Sequence, residues 1–166
     1  MAALPILLWP DPRLSTPCAP VGCEDISGIC KDMLQSMYAA SGRGLAAPQV
    51  GVMLRIFVMD VTWKDGNPDP HIMINPQILW RSTNEVTGPE GCLSIPGVIA
   101  DVARPKSIRL AWTDEMGRQR DDTLTGFAAV CAQHEYDHLD GVVTFDRLSP
   151  ARRQAIEAAY LDWHPA

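Results

Sequence analysis

The segment that most limits how this chain can fold is 126–141, GFAAVCAQHEYDHLDG, where an uncharged run passes straight into two histidines and three acids. Phe127, Val130 and Cys131 prepare an apolar helix face, and the same helix then carries His134 and His138 four positions apart. That spacing stacks both imidazoles on one face, with Glu135 about 100° round beside them. Such a segment looks like a core helix, so the charges on it need a reason. Two neutral imidazoles can hold a divalent metal that lowers the pKa of its bound water toward neutrality, and an adjacent carboxylate can take and return the proton. A plain amphipathic helix accounts for the same letters, with Asp137 and Asp140 on its solvated side.

A metal site needs a third protein ligand. One zinc protease class repeats a histidine six residues after the second, but that position is Thr144, which cannot serve. Another takes a glutamate from a later helix; Glu157 is the acid in that neighbourhood, although the acid that should follow it by four is Leu161. The remaining source is Cys92 in PEGCLSIPG (89–97), where glycines, prolines and a serine predict a tight, exposed-backbone loop instead of a core strand. A thiolate there completes a sulfur–nitrogen–nitrogen site with an open fourth position, the catalytic arrangement for zinc or ferrous iron. Taken by itself, Cys92 also reads as an ordinary buried cysteine.

Elsewhere the pattern predicts a core-facing helix over 25–40, from the three-and-four spacing of Ile26, Ile29, Met33 and Met37, ended by SGRG (41–44). LRIFVMD (54–60) reads as a strand, GNPDP (66–70) as a loop, and IMINPQILW (72–80) as an extended stretch in which Pro76 marks an edge or a bend. SIRLAWT and RQRDDTLTG flank DEMG (114–117) as a hairpin, and Ser149 with Pro150 starts a short terminal helix. Strands bracketed by helices favour an α+β fold, with a mixed or antiparallel sheet around a central metal-binding helix. With 166 residues, no repeat and no linker, the expectation is a single domain over 1–166.

A formal net charge of −6 without a basic run argues against attachment to nucleic acid or to an anionic membrane surface. The opening MAALPILLWPDPRL has no leading positive charge and is broken by Pro5 and Pro10, so it does not read as a signal peptide, and no stretch is long enough to span a bilayer. A cytoplasmic location is expected. Five cysteines without a C-x-x-C pair leave one over, so a disulfide framework is not expected.

Three separated stretches, GLAAPQVG (44–51), EGCLS (90–94) and QHEYDHLDG (133–141), together resemble the three signature motifs of the peptide deformylase family, in order and with similar spacing. The resemblance runs from ILLWPDPRL (6–14) to LSP (148–150). It implies removal of the formyl group from N-formylated nascent peptides, chiefly formyl-methionyl ones, with release of formate; whether they are met at the ribosome stays open. It makes Cys92, His134 and His138 the ligands of one divalent metal, Fe²⁺ first, with Zn²⁺ or Ni²⁺ as replacements, and Glu135 the general acid/base. It places the Gln49 amide and the backbone N–H of Leu93 toward the formyl oxygen. Gly44 and Arg43 then border the substrate pocket, and Phe127, Val130 and Cys131 resemble its apolar wall. Gln133 orients the site from behind or is a helical surface residue, and Glu90 and Arg104 are expected to pair behind Cys92.

One departure stands out. Members of the family usually have an aliphatic residue where this chain has Arg43, so the cation either narrows and polarises the pocket or reaches to water with its stem on apolar neighbours. The chain also ends in DWHPA, unlike members with a longer basic tail, and His71 and His164 read as solvated surface. Two other readings stay open: a metallohydrolase completed by Glu157, and a deformylase-like protein that binds without turnover.

Overall fold

The computed structural model describes residues 3–163. Helix α1 (Ser27–Ala39) is followed by strands β1 (Gly44–Ala46), β2 (Ile56–Met59), β3 (His71–Arg81), β4 (Glu85–Cys92), β5 (Ile95–Pro105), β6 (Ser107–Thr113) and β7 (Gln119–Thr125), then by helices α2 (Gly126–Leu139) and α3 (Pro150–Trp163). The fold is α+β, as the order of the sequence patterns implies. A five-stranded sheet has the order β1-β2-β3-β6-β7 with every neighbouring pair antiparallel, and β4 and β5 form a separate two-stranded sheet. No helix among the described residues is long and apolar enough to cross a membrane.

Alternation along β2 explains why the five-stranded sheet needs a helix on each face. Successive side chains of a strand point to opposite sides. Phe57 and Met59 therefore join Ala129, Cys131, Ala132 and Leu139 of α2, while Ile56 and Val58 join Cys30, Met33 and Met37 of α1. All four β2 residues are buried, which is why IFVM reads as an unbroken apolar run. Burying side chains of this kind stabilises by roughly 1.5–3 kcal/mol each. A third cluster, Leu14, Ile95, Val143, Phe145 and Tyr160, packs α3 against the β4–β5 hairpin. Helix α2 is thus covered by the sheet on one side and by the hairpin on another, and its polar face is kept from water.

Two sequence expectations change and one narrows. Cys92 is not in a loop: it ends β4 and pairs with Ile95 across a tight turn. Gly88, Pro89, Gly91 and Pro96 hid both strands, because such residues are depleted in strands and tolerated where a ladder has a free edge. Pro76 marks a bend and not an edge, since β3 lies between β2 and β6. The β3–β6 register slips between Ile74 and Gln77, and Asn75 has φ 49°, so the missing proline N–H falls at a bulge. The terminal helix is not short, for α3 has 14 residues, as many as α2. It starts where expected, with the Arg152 N–H donating to Ser149 Oγ at 3.4 Å.

Phe57→Ala is expected to cost about 3–5 kcal/mol in urea unfolding. Met116→Ala, at the exposed β6–β7 turn, is expected to stay within about 0.5 kcal/mol.

Candidate metal centre

The site is assembled by α2, by the β4–β5 hairpin and by the segment after β1. One turn of α2 separates His134 from His138, and their rings lie 5.1 Å apart at 71°. The hairpin turn carries Cys92 to them, with Sγ 3.4 Å from His138 Nε2. One ligand atom from each of Cys92, His134 and His138 lies within 4.8 Å of the other two. A thiol and two imidazoles this close form a donor set suited to a borderline metal such as zinc or iron.

His134 is turned by a second layer. Its Nδ1 lies 3.0 Å from Glu90 Oε1, which leaves the other ring nitrogen for the Cys92 side. Arg104 grips Glu90 with two hydrogen bonds, Nε to Oε2 at 2.6 Å and Nη2 to Oε1 at 2.9 Å. The same guanidinium donates from Nη1 to Asp137 Oδ2 at 2.9 Å, and Arg147 holds Asp137 from outside at 2.6 and 3.0 Å. The expected Glu90–Arg104 pair is therefore present, and it extends further than expected. Asp137, read as solvated, is buried; its place three residues after His134, a shared-face spacing, was the available signal.

Electrostatics follow from this packing. Burial pushes Glu135 up to about 7, only partly offset by the charges of His134 and Arg104. Its Oε2 is buried without a hydrogen-bond partner. Burial disfavours a charged His134, yet its hydrogen bonds with Cys92 and Glu90 win and raise its pKa. His138 moves the other way, lowered by burial and then by the charges of His134 and Arg104, and its Nδ1 has no partner. Burial also opposes a charged Glu90, but hydrogen bonds from His134 and Arg104 hold its carboxyl below the ordinary value.

Gln49 is buried beneath the cysteine turn. Its Oε1 accepts the Ala46 N–H at 2.8 Å, so its amide nitrogen faces Ser94 Oγ at 3.0 Å and Cys92 Sγ at 3.8 Å. Gln133 is no surface residue: buried, it donates to the carbonyls of Pro105 and Ala129 and ties α2 to the end of β5.

A cavity of about 660 Å³ opens beside this group. Glu135, His134 and Cys92 line it, together with Gly44, Arg43, Leu93, Phe127, Val130 and Cys131. Phe127 is half exposed toward it, so core packing does not explain that residue. Lys64, which the sequence did not single out, also lines it. Gly44 is required by close approach, since a Cβ there would stand 2.7 Å from Glu135 Oε1 and 2.9 Å from Cys131 Sγ. Glu157 is engaged elsewhere, by Arg153 Nε at 2.7 Å. His71 is 3.0 Å from Asp69 at the start of β3, and His164 lies outside the described residues. All five cysteines are unbridged.

A helix-borne pair of histidines and a cysteine from a hairpin could together hold a metal ion, with a buried acid beside them, an arrangement suited to hydrolysis. The family model for polypeptide deformylase matches residues 3–154. A peptide deformylase of Alkalilimnicola ehrlichii is 49% identical over 158 residues, covering 94% of this chain and 88% of its own length. Peptide deformylase 2 of Xanthomonas campestris pv. campestris is 44% identical over 161 residues, covering 94% and 93%. Among solved structures, a peptide deformylase from Legionella pneumophila superposes with a TM-score of 0.91 at 35% identity, covering 98% of this chain and 95% of that one. One from Ehrlichia chaffeensis in complex with actinonin gives 0.90 at 36% identity, with both chains fully covered. The chain belongs to the polypeptide deformylase family.

Glu90→Gln is expected to destabilise by about 3 kcal/mol, because it removes the charge that Arg104 faces in the interior; chemical denaturation measures this, and an unchanged midpoint would remove the network from the account. Gly44→Ala is expected to move the Glu135 carboxylate and to cost about 1–3 kcal/mol, which a crystal structure and a melting curve would show.

Proposed function

We propose that residues 1–166 act as one catalytic domain in which Cys92, His134 and His138 hold a single divalent metal and Glu135 moves the protons of amide hydrolysis. As a member of its family this chain is an enzyme that removes the N-formyl group from nascent peptides. The observation that carries the proposal is the meeting of those three ligand atoms, within 4.8 Å of one another, beside a buried carboxyl raised to about 7.

Cys92, His134 and His138 would hold the metal, Fe²⁺ in our reading with Zn²⁺ or Ni²⁺ able to stand in, and it would supply Lewis acidity to the formyl carbonyl and to the attacking water. Glu135 accepts a proton from the attacking water at its free Oε2. An acid with a pKa near 7 gives and takes a proton with little penalty either way. The water oxygen bonds to the formyl carbon, and the Gln49 amide and the Leu93 N–H donate to the oxygen that gains charge. Glu135 then returns its proton to the departing nitrogen as the carbon–nitrogen bond breaks, leaving formate and a free amino terminus. Gly44 lets its own strand lie close against Glu135 on α2, while Arg43, Phe127 and Val130 border the first side chain. Glu90, backed by Arg104, keeps His134 aimed at the site.

The substrates are N-formylated nascent peptides, met in the cytoplasm in this reading. Protein purified without oxygen and loaded with Fe²⁺, Ni²⁺ or Zn²⁺ should release free amine from formyl-Met-Ala-Ser. Glu135→Gln should keep its metal and lose roughly 10²–10⁴-fold in rate, whereas Cys92→Ala should lose the metal itself. No amine under any loading, or a Cys92→Ala protein with full metal and full rate, sinks the proposal.

A further inference from the structure

The cavity beside the metal group carries two cations with no carboxylate of their own. Arg43 and Lys64 both line it. Among the described residues neither forms an ion pair, whereas Arg104, Arg147 and Arg153 each grip a carboxylate. The Nε of Arg43 is buried and has no hydrogen-bond partner. Arg43 as a whole is only partly buried and lines the cavity, so the rest of its guanidinium can meet an acceptor there.

Arg43 is held in place, and Lys64, though exposed, lies against a fixed ring. The Arg43 guanidinium lies over the Phe127 ring, its Cζ 5.3 Å from the centroid. Its own carbonyl accepts from the Asp60 N–H at 2.9 Å and from Cys131 Sγ at 3.6 Å, which pins the backbone to α2 and to the strand behind it. Lys64 Nζ lies 5.6 Å from the centroid of the Trp63 ring. Trp63 is fixed in turn, donating from Nε1 to the Gly42 carbonyl at 2.9 Å and meeting the Tyr38 ring edge-on at 5.2 Å. The two cations are therefore anchored on adjacent residues of one segment, 42–43.

The carboxylates that share the cavity do not neutralise them. Glu90 is occupied by Arg104 and His134. Glu135 is buried, and among the described residues no ion pair joins it to Arg43 or Lys64. A pocket meant only for an aliphatic side chain would gain nothing from a guanidinium on its wall. A carboxylate meets both needs, because it accepts from Arg43 and lies in the field of Lys64.

We propose that this pocket selects formylated peptides bearing a carboxylate, hydrogen-bonded by Arg43 and attracted by Lys64. The inference rests on the formyl-peptide hydrolase reading above. The carboxylate can come from the formylated residue itself or from the residue after it, and substrates separate the two sources. Formyl-Glu-Ala-Ser-amide compared with formyl-Gln-Ala-Ser-amide tests the first, and formyl-Met-Glu-Ser-amide compared with formyl-Met-Gln-Ser-amide tests the second. In the metal-loaded enzyme one of these pairs should favour the acid by about tenfold in kcat/KM, carried mainly by KM. The preference should shrink with added salt. Arg43→Ile should abolish it, Arg43→Lys should restore part of it, and Lys64→Gln, on an exposed residue, should weaken it. Calorimetric binding of the same peptide pairs gives a readout independent of turnover.

Acid-to-amide ratios near one for both pairs, unmoved by Arg43→Ile, overturn the proposal even if formyl-Met-Ala-Ser is cleaved well. If no formyl peptide is cleaved under any loading, the enzyme reading fails, and the calorimetric ratios still decide whether the pocket prefers a carboxylate.

Discussion

Everything at the site depends on one buried chain of charges, from Arg147 through Asp137 and Arg104 to Glu90 and on to His134. It joins two elements that share no strand ladder: the β4–β5 hairpin, which supplies Glu90, Arg104 and Cys92, and α2, which supplies His134, Asp137 and His138. Buried ion pairs contribute little net stability, because desolvation offsets most of the attraction. Their value here is geometric. Bidentate contacts between Arg104 and Glu90 allow few alternative arrangements, so the hairpin can dock on α2 in one register, and that register sets Cys92 Sγ beside His138.

Hydrophobic packing makes this arrangement affordable. Helix α2 is clamped by the Phe57, Met73, Ile108 and Leu110 face of the sheet, and the hairpin by Phe145 and Tyr160. With both covers in place, the polar side of α2 sits where water is scarce. Two consequences follow from the same burial. Glu135 is pushed toward neutrality, where it can exchange protons, and the charges of Arg104 and Glu90 act on the histidines with little screening. The cavity is lined both by this acid and by the cations Arg43 and Lys64.

Much of this was legible in the chain. The four-residue spacing of His134 and His138 and the SIRLAWT–DEMG–RQRDDTLTG hairpin read directly, because helix and turn geometry are local properties. The β4–β5 hairpin did not, since Gly88, Pro89, Gly91 and Pro96 carry loop signals that only cross-strand pairing overrides. Asp137 was hidden for a different reason: a carboxylate beside histidines on a helix looks solvated until its cation, Arg104, arrives from a strand far away in sequence. Gln133 was ambiguous for the same cause, as its partner is the Pro105 carbonyl.

The sequence by itself determined which atoms were available: two imidazoles and a carboxylate on one helix, a thiol, a glutamine, and the unusual Arg43, all in a family-specific order. Spacing within a helix or hairpin is dictated by backbone geometry, so those local relations needed no fold. Only the tertiary structure decided that the thiol meets the imidazoles, that Glu157 is drawn away to Arg153, and that Arg43 and Lys64 share one cavity. Such meetings depend on which apolar faces cover one another and which buried charges find partners, and those energies arise between segments distant along the chain.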